Sequence, residues 1–336
     1  IKHLDKNIFE TYSFSLNEDK YLKSSSLELK NNFDKWYDLS RLKNEDIVKF
    51  IQKEQIEILI DVMGLTKAPR IEIFNNRICP IQISWLAFCN TVGFSAIDYL
   101  IADKNVVYES EEKFYAEKII KMPEIWNCHS GFKLDRKLSK LPFNKNKYIT
   151  FGSFNNFLKL SDNVIKVWSK ILQNIDNSKL ILKSYNSYNI ETVLDKFRKY
   201  NVENSIIIYD RSDYSDLKDH LDLYDNIDIA LDTFPYNGVT TTFEALWKGV
   251  PVLVLKGYNF NSRCGESILK NANLELFISS NEEEYIEKAG YFSKNIKKLE
   301  SERNKIYNEI LNTPLFNSKN FSSNLKNELL KIYKNK

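Results

Sequence analysis

Apolar and polar positions alternate with two different periods along this chain, and the two take turns. Residues 9–16, FETYSFSL, alternate in the manner of a half-buried strand, and 44–55, NEDIVKFIQKEQ, show the wider spacing of an amphipathic helix opening on an Asn cap. Residues 56–64, IEILIDVMG, form a near-continuous apolar run closed by Gly, as a strand covered on both faces should. Short strands follow at 81–88 and 98–104, a helix at 109–118 and a strand at 119–123. The stretch 127–147, NCHSGFKLDRKLSKLPFNKNK, is polar, basic and weakly periodic, and reads as a linker.

After it the alternation restarts. Strands are predicted at 148–154, 178–184, 205–211, 227–234 and 250–255, with a strand-like segment at 275–280. Helices are predicted at 161–175, 189–201, 214–226, 240–249 and 262–272, and two helical stretches, 281–312 and 317–336, close the pattern. Strand–helix alternation gives parallel sheets with right-handed crossovers. The expected fold is therefore α/β: two doubly wound Rossmann-like domains facing a cleft, with ligands outside the carboxyl ends of the strands. The expected division is an N-terminal domain over 1–126, a linker over 127–147, a C-terminal domain over 148–312 and a helix over 313–336 packing back on the N-terminal domain.

Bulk properties narrow the function by exclusion. With 48 basic and 45 acidic residues among 336, the net charge is +3, so nothing electrostatic calls for nucleic acid or a membrane surface. No apolar run approaches a bilayer-spanning length, and IKHLDKNIFETYSFSL lacks a signal-peptide core. The four cysteines, Cys79, Cys89, Cys128 and Cys264, fit neither a disulfide framework nor zinc spacing, so a reducing cytoplasm is expected. Cys128 and His129 are adjacent, but two ligands without partners make a poor metal site.

The chemistry concentrates in DTFPYNGVTTTFEALWKG, 232–249. Pro235 ends the strand, and Asn237-Gly238 tolerate the turn. A helix starting near Val239–Thr241 presents free amides and partial positive charge, joined by the hydroxyls of Thr240 and Thr241. That suits an anion such as a diphosphate; the alternative is that the threonines only cap the helix. Glu244, one turn on, could reach a ribose diol. Lys159, in the loop after the first strand of this half, could neutralise phosphate, or be one more solvated lysine. His220 borders the stripe of Leu217, Leu221 and Tyr224, against a base or against the core. Aspartates recur every third residue from Asp210 to Asp228 and drift around a helix, so they form no carboxylate face, and no Asp-x-Asp is present to hold a divalent ion.

These segments resemble a known family. Residues 220–257, HLDLYDNIDIALDTFPYNGVTTTFEALWKGVPVLVLKG, are similar to the nucleotide-sugar segment of glycosyltransferase family 41, the protein O-GlcNAc transferases and their SPINDLY-type relatives. FGSFNNFLKLSDNVIKVWSKIL, 151–172, resembles the family's Phe-Asn-x-x-x-Lys loop, and 56–104 resembles its N-terminal catalytic half. The resemblance implies a two-domain GT-B fold and an inverting transfer needing no metal and no cofactor beyond the donor. The sugar, GlcNAc from UDP-GlcNAc or, in plant SPINDLY relatives, fucose from GDP-fucose, passes to a Ser or Thr hydroxyl of a protein. Lys159 matches the lysine that stabilises the leaving diphosphate, and Asn156 a polar residue beside it. His220 matches a nucleotide contact, and Ser215 and Leu217 lie in the uracil-cradling stretch. Val239, Thr240 and Thr241 match the phosphate loop and Glu244 the acidic ribose ligand, and Asn237 and Gly238 at the turn are expected among the nucleotide-sugar-binding residues.

The departures fall on the acceptor side. The family's Gly-Tyr-Pro-Gly-Thr-x-Gly loop is AFCNTVG (87–93) here, and Leu65 replaces a polar ring in GLT. The general base is expected upstream of Ile1 or absent, as are the family's first strand and tetratricopeptide repeats. Two other readings stay open: a non-catalytic nucleotide-sugar-binding module or partner subunit, and a transferase acting on a glycan.

Overall fold

The computed structural model describes residues 1–16, 28–66, 70–184, 190–210 and 216–335. The chain divides into two compact units, Ile1–Cys128 with Ser318–Lys336, and His129–Asn317.

In the first unit, β1 (Tyr12–Ser15) pairs in parallel with β2 (Lys35–Asp38). The Phe14 and Tyr37 rings stack across the pair at 5.9 Å. β2 is four residues with exposed ends, too short for its period to show in the sequence. The helix Asn44–Lys53 forms as expected, but Lys43 stands at its cap without a side-chain bond; the Asn44 side chain instead accepts from Arg70 Nε at 2.7 Å. A parallel four-stranded sheet runs in sequence order: β3 (Ile58–Asp61), β4 (Ile81–Ser84), β5 (Tyr99–Asp103) and β6 (Lys118–Met122). The expected helix at 109–118 is a 3-10 segment, Glu109–Phe114, with no buried residue to extend it. Helix Ser318–Lys334 belongs to this unit. Its Leu325, Leu329 and Ile332, at spacings of four and three, pack with Ile81, Ile83, Ile101 and Ile120, and Phe321 stacks on Trp85 at 5.8 Å.

In the second unit the strands are β7 (Thr150–Ser153), β8 (Lys179–Lys183), β9 (Ile206–Tyr209), β10 (Ile229–Leu231), β11 (Val252–Leu255) and β12 (Ile278–Ser279). They form one sheet, all parallel, in the order β12-β11-β10-β7-β8-β9. The order runs outward in both directions from β7 and β10, so the direction of winding reverses between them, and a crevice for ligand opens at their carboxyl ends. Gly152 permits this pairing: a Cβ there would lie 2.2 Å from Ile227 Cδ1. Helices Asp162–Asn174, Thr240–Trp247, Phe260–Asn271 and Glu282–Lys294 cover the sheet, burying Trp168, Phe243, Leu269 and Tyr285.

The stretch 127–147 behaves differently from a linker. From His129 on it lies in the second unit and is strapped to it. Arg136 donates to the carbonyls of Trp247 and Tyr307 and lies 4.0 Å from the centre of the Tyr307 ring. Arg303 donates to Ser139 Oγ at 3.0 Å, and Phe132 packs edge-on against Trp247 at 5.0 Å. Basic and weakly periodic as it is, the segment is fixed by side chains reaching across to distant carbonyls.

Candidate functional site

The loops after β7 and β10 leave adjacent strands side by side, and the expected residues of 152–162 and 232–249 meet there. Helix Thr240–Trp247 follows β10, with Val239 at its cap and no side-chain cap bond. The Thr242 and Phe243 amides close on the Val239 carbonyl, each at 3.0 Å, which leaves those of Thr240 and Thr241 without intrahelical acceptors. The threonines do not cap it: Thr241 Oγ1 donates to Asn155 Oδ1 at 3.3 Å, Thr242 Oγ1 to the Gly238 carbonyl at 3.3 Å, and Thr240 is exposed. At its far end Gly249, at φ +79°, turns the chain into β11, and the Val250 amide closes on the Ala245 carbonyl at 2.8 Å.

Lys159 reaches this point. Its Nζ donates to the Asn237 carbonyl at 2.7 Å, lies 3.5 Å from Asn155 Oδ1, and sits 4.1 Å from the centre of the Tyr236 ring. Asn155 Oδ1 is thus shared between the Lys159 amine and the Thr241 hydroxyl. The neighbouring Asn156 is exposed and caps the short turn Phe157–Lys159, accepting from the Leu158 amide at 3.0 Å. Of the two asparagines, it is Asn155 that enters the cluster.

Beneath the cluster lies Asp232. Its Oδ1 accepts from the amides of Gly238 at 2.7 Å and Thr233 at 2.9 Å and from Asn155 Nδ2 at 3.3 Å. Gly238 has no room for a side chain, since a Cβ would lie 2.5 Å from Thr241 Oγ1 and 2.9 Å from Asp232 Oδ1. Asn237 is buried and braces the turn, donating to the Thr233 carbonyl at 2.8 Å and accepting from the Gly265 amide at 3.2 Å. Burial pushes the Asp232 carboxyl up to about 7, against the pull of the Gly238 amide and the Lys159 charge.

A second cluster adjoins the first through the same helix. Lys183, at the end of β8, lies 2.6 Å from His220 Nδ1, and His220 Nε2 lies 3.0 Å from Glu244 Oε2. An amine that donates to Nδ1 selects the tautomer in which Nε2–H faces Glu244. The Tyr224 hydroxyl, 3.0 Å from Glu244 Oε2 and 3.1 Å from the Thr241 carbonyl, ties this chain back to the first turn. All four side chains are buried. His220 therefore leaves the edge of the expected stripe for its interior. Leu217, first in helix Leu217–Asp222, instead stands 49 % exposed. Ser215 lies outside the described residues.

Asn155, Asp232, Lys183 and Tyr224 were not singled out by sequence. A lysine closing the apolar run of 178–184 was the one legible signal. Burial pushes the Cys128 thiol up to about 12, and His129 packs at 4.5 Å against the Phe132 ring. Among the described residues no three His, Cys, Asp or Glu side chains are grouped to hold a metal ion, and no helix is long and apolar enough to cross a membrane.

Two parallel-sheet units, the second wound outward from an anion-suited helix start, define a GT-B glycosyltransferase fold. A mutant O-GlcNAc transferase from Thermobaculum terrenum superposes with a TM-score of 0.89 at 24% identity, covering 99% of this chain and 63% of that one. The lipopolysaccharide outer core galactosyltransferase WaaB gives 0.58 at 12%, covering 95% and 89%. At these identities the likeness is one of fold. A probable UDP-N-acetylglucosamine–peptide N-acetylglucosaminyltransferase SPINDLY from Petunia hybrida is 30% identical over 86% of the chain and 31% of its own length. The probable transferase of the same description named SEC, from Arabidopsis thaliana, is 28% identical over 96% and 33%. The chain thus spans about a third of the length of the curated relatives it matches. A family model described as glycosyl transferase family 41 matches residues 2–140 and 134–325, and the chain belongs to that family.

Proposed function

We propose that this chain is the catalytic region of an inverting, metal-independent glycosyltransferase that moves GlcNAc from UDP-GlcNAc to a Ser or Thr hydroxyl of a protein. The observation that carries this reading is the convergence on Asn155 Oδ1 of the Lys159 amine and the Thr241 hydroxyl, at the start of helix Thr240–Trp247. A diphosphate there meets an ammonium group, free amides and hydroxyls, held in place before it arrives. Such preorganised donors stabilise charge that develops as the sugar leaves, and in this reading they need no metal ion. Lys159 faces the departing phosphate; Asn237, Gly238, Val239, Thr240 and Thr241 form the cradle; Asn155 takes the place expected of Asn156. In this reading Glu244 binds the ribose, and His220 with Leu217 contacts the base. The donor and the peptide acceptor follow the names of the relatives. Four free thiols suit a reducing cytoplasm.

The test is transfer of labelled sugar from UDP-GlcNAc, with GDP-fucose in parallel, to a peptide library, alongside donor hydrolysis. Transfer abolished by Lys159→Ala supports the reading. Tight donor binding with neither transfer nor hydrolysis would make the chain a nucleotide-sugar-binding module, and transfer to glycans alone would move the acceptor class.

A further inference from the structure

Asp232 sits where an anion-binding site should least tolerate it. It is a carboxylate 1% exposed, directly under the helix start that is to receive a diphosphate. Its two oxygens are treated unequally. Oδ1 takes three hydrogen bonds, from Gly238, Thr233 and Asn155, while Oδ2 has no partner among the described residues. Gly265 leaves the space beside Oδ2, since a Cβ there would lie 2.9 Å from it.

The three bonds to Oδ1 have a directional result. With Asn155 Nδ2 committed to Asp232, its Oδ1 faces the other way, toward the Lys159 amine and the Thr241 hydroxyl. The Gly238 amide, tied to the same carboxylate oxygen, sets the turn that feeds the helix. One buried side chain therefore aims both halves of the cradle.

We propose that Asp232 is the positioning residue of this cradle and that it takes up a proton at Oδ2 when a diphosphate binds beside Lys159. The inference rests on the donor reading above. Its physics is one of competing charges. Without ligand, the Lys159 ammonium is the favourable charge acting on Asp232, and the carboxyl sits at about 7 because burial opposes it. A bound diphosphate claims that ammonium and adds negative charge of its own, so the carboxylate loses its support and holds a proton more tightly. The proton comes from solvent and ends on Oδ2. Oδ1 keeps its three bonds in either state, so the geometry survives the change.

The groups facing Asp232 are few. Lys159 approaches from the loop after β7, and the Tyr285 hydroxyl, on helix Glu282–Lys294, donates to the Asp232 carbonyl at 3.2 Å. Helix Phe260–Asn271 presents uncharged Gly265; its Glu266 pairs with Lys270 at 2.7 Å, and Arg263 donates to the Gly257 carbonyl at 3.1 Å. Helix Thr240–Trp247 presents Thr241, its Glu244 being engaged by His220. Of these, Lys159 is the group whose charge a diphosphate would neutralise.

The test is calorimetry of UDP-GlcNAc and GDP-fucose binding at pH 6 to 8.5, in buffers of different ionisation enthalpy. Neither sugar diphosphate has a titrating phosphate in that range, so proton uptake belongs to the protein. At pH 8 the wild type is expected to take up close to one proton per site, with affinity falling about tenfold per pH unit above 7. Asp232→Asn keeps an acceptor for Gly238 and is expected to bind with no such uptake and a flat pH profile. Binding without proton uptake by the wild type, or undiminished uptake by Asp232→Asn, overturns the proposal and leaves the donor reading standing. The wild-type measurement decides this even if the variant does not fold. Failure of both probes to bind at any pH overturns the donor reading and this proposal with it.

Discussion

Asp228 and Asp232 bracket the three residues of β10, and both are fully buried, yet they do opposite work. Asp228, at the amino edge of the sheet, spends both oxygens on backbone: the Phe143 amide at 3.0 Å and the Thr150 amide at 2.8 Å. The buried guanidinium of Arg303 adds its attraction and donates to the Ile227 carbonyl at 2.8 Å. It is a clasp that fastens the 129–147 strap and the first strand of the unit. Asp232, at the carboxyl edge, keeps one oxygen unspent and faces the charge of Lys159, a group a ligand can claim. The lesson is that burial alone does not mark a functional carboxylate. What distinguishes one is unfinished hydrogen bonding beside groups that a ligand can claim.

The comparison can be broken most sharply at the clasp. Asp228→Ala leaves two buried amides without acceptors and Arg303 without its counter-charge, and is expected to cost about 3–5 kcal/mol in urea unfolding. A cost below about 1 kcal/mol would show that the clasp does not hold the strap. At the other edge, Lys159→Ala is expected to lower transfer by about 100-fold or more while changing stability by less than about 1 kcal/mol. Equal losses in both measurements would place Lys159 with the structural residues. Asn155→Ala is expected to weaken sugar-nucleotide binding by about tenfold, the worth of one oriented polar contact, leaving the melting temperature nearly unchanged.

The smallest effect is in the pH dependence of stability. Burial raises the Asp228 carboxyl from 3.8 to about 6 and that of Asp232 to about 7. Folding therefore strengthens proton binding at both. The resulting stabilisation is complete below about pH 4 and is lost as the pH rises, through about 6 for Asp228 and about 7 for Asp232. The melting temperature of the ligand-free protein is expected to decline between pH 5 and 8. Asp232→Asn should remove the part of the decline above pH 6.5, and Asp228→Asn should leave that part in place. A decline that both variants share unchanged would assign it to other groups.

Much of the fold could be read from periodicity, because β8, β9, β10 and β11 are mostly apolar runs between turn residues and helices such as Asp162–Asn174 carry a clear stripe. What escaped was set by contacts distant in sequence. β2 is four residues long and half exposed, so its pairing with β1 leaves no period of its own. The strap at 129–147 looks like a linker because its anchors, Arg136 and Ser139, depend on Trp247, Arg303 and Tyr307 more than a hundred positions away. In the site, the Asn-Gly turn and the threonines were legible as a helix start. The choice between Asn155 and Asn156 was not, since it depends on which side of the chain faces inward two residues after β7 ends. Asp232 read as the end of a strand, and its role emerged only when Gly238 and Gly265 were seen to crowd it.

The return of helix Ser318–Lys334 to the first unit has a consequence for how the protein is made. The second unit is continuous in sequence and can close as soon as residue 317 has cleared the ribosome. The first unit must wait, its Ile81, Ile83 and Ile101 face uncovered, until a helix encoded more than two hundred residues later arrives to seal it. Shortening the gene before that helix should therefore yield a sound second unit attached to a sticky, chaperone-dependent first one.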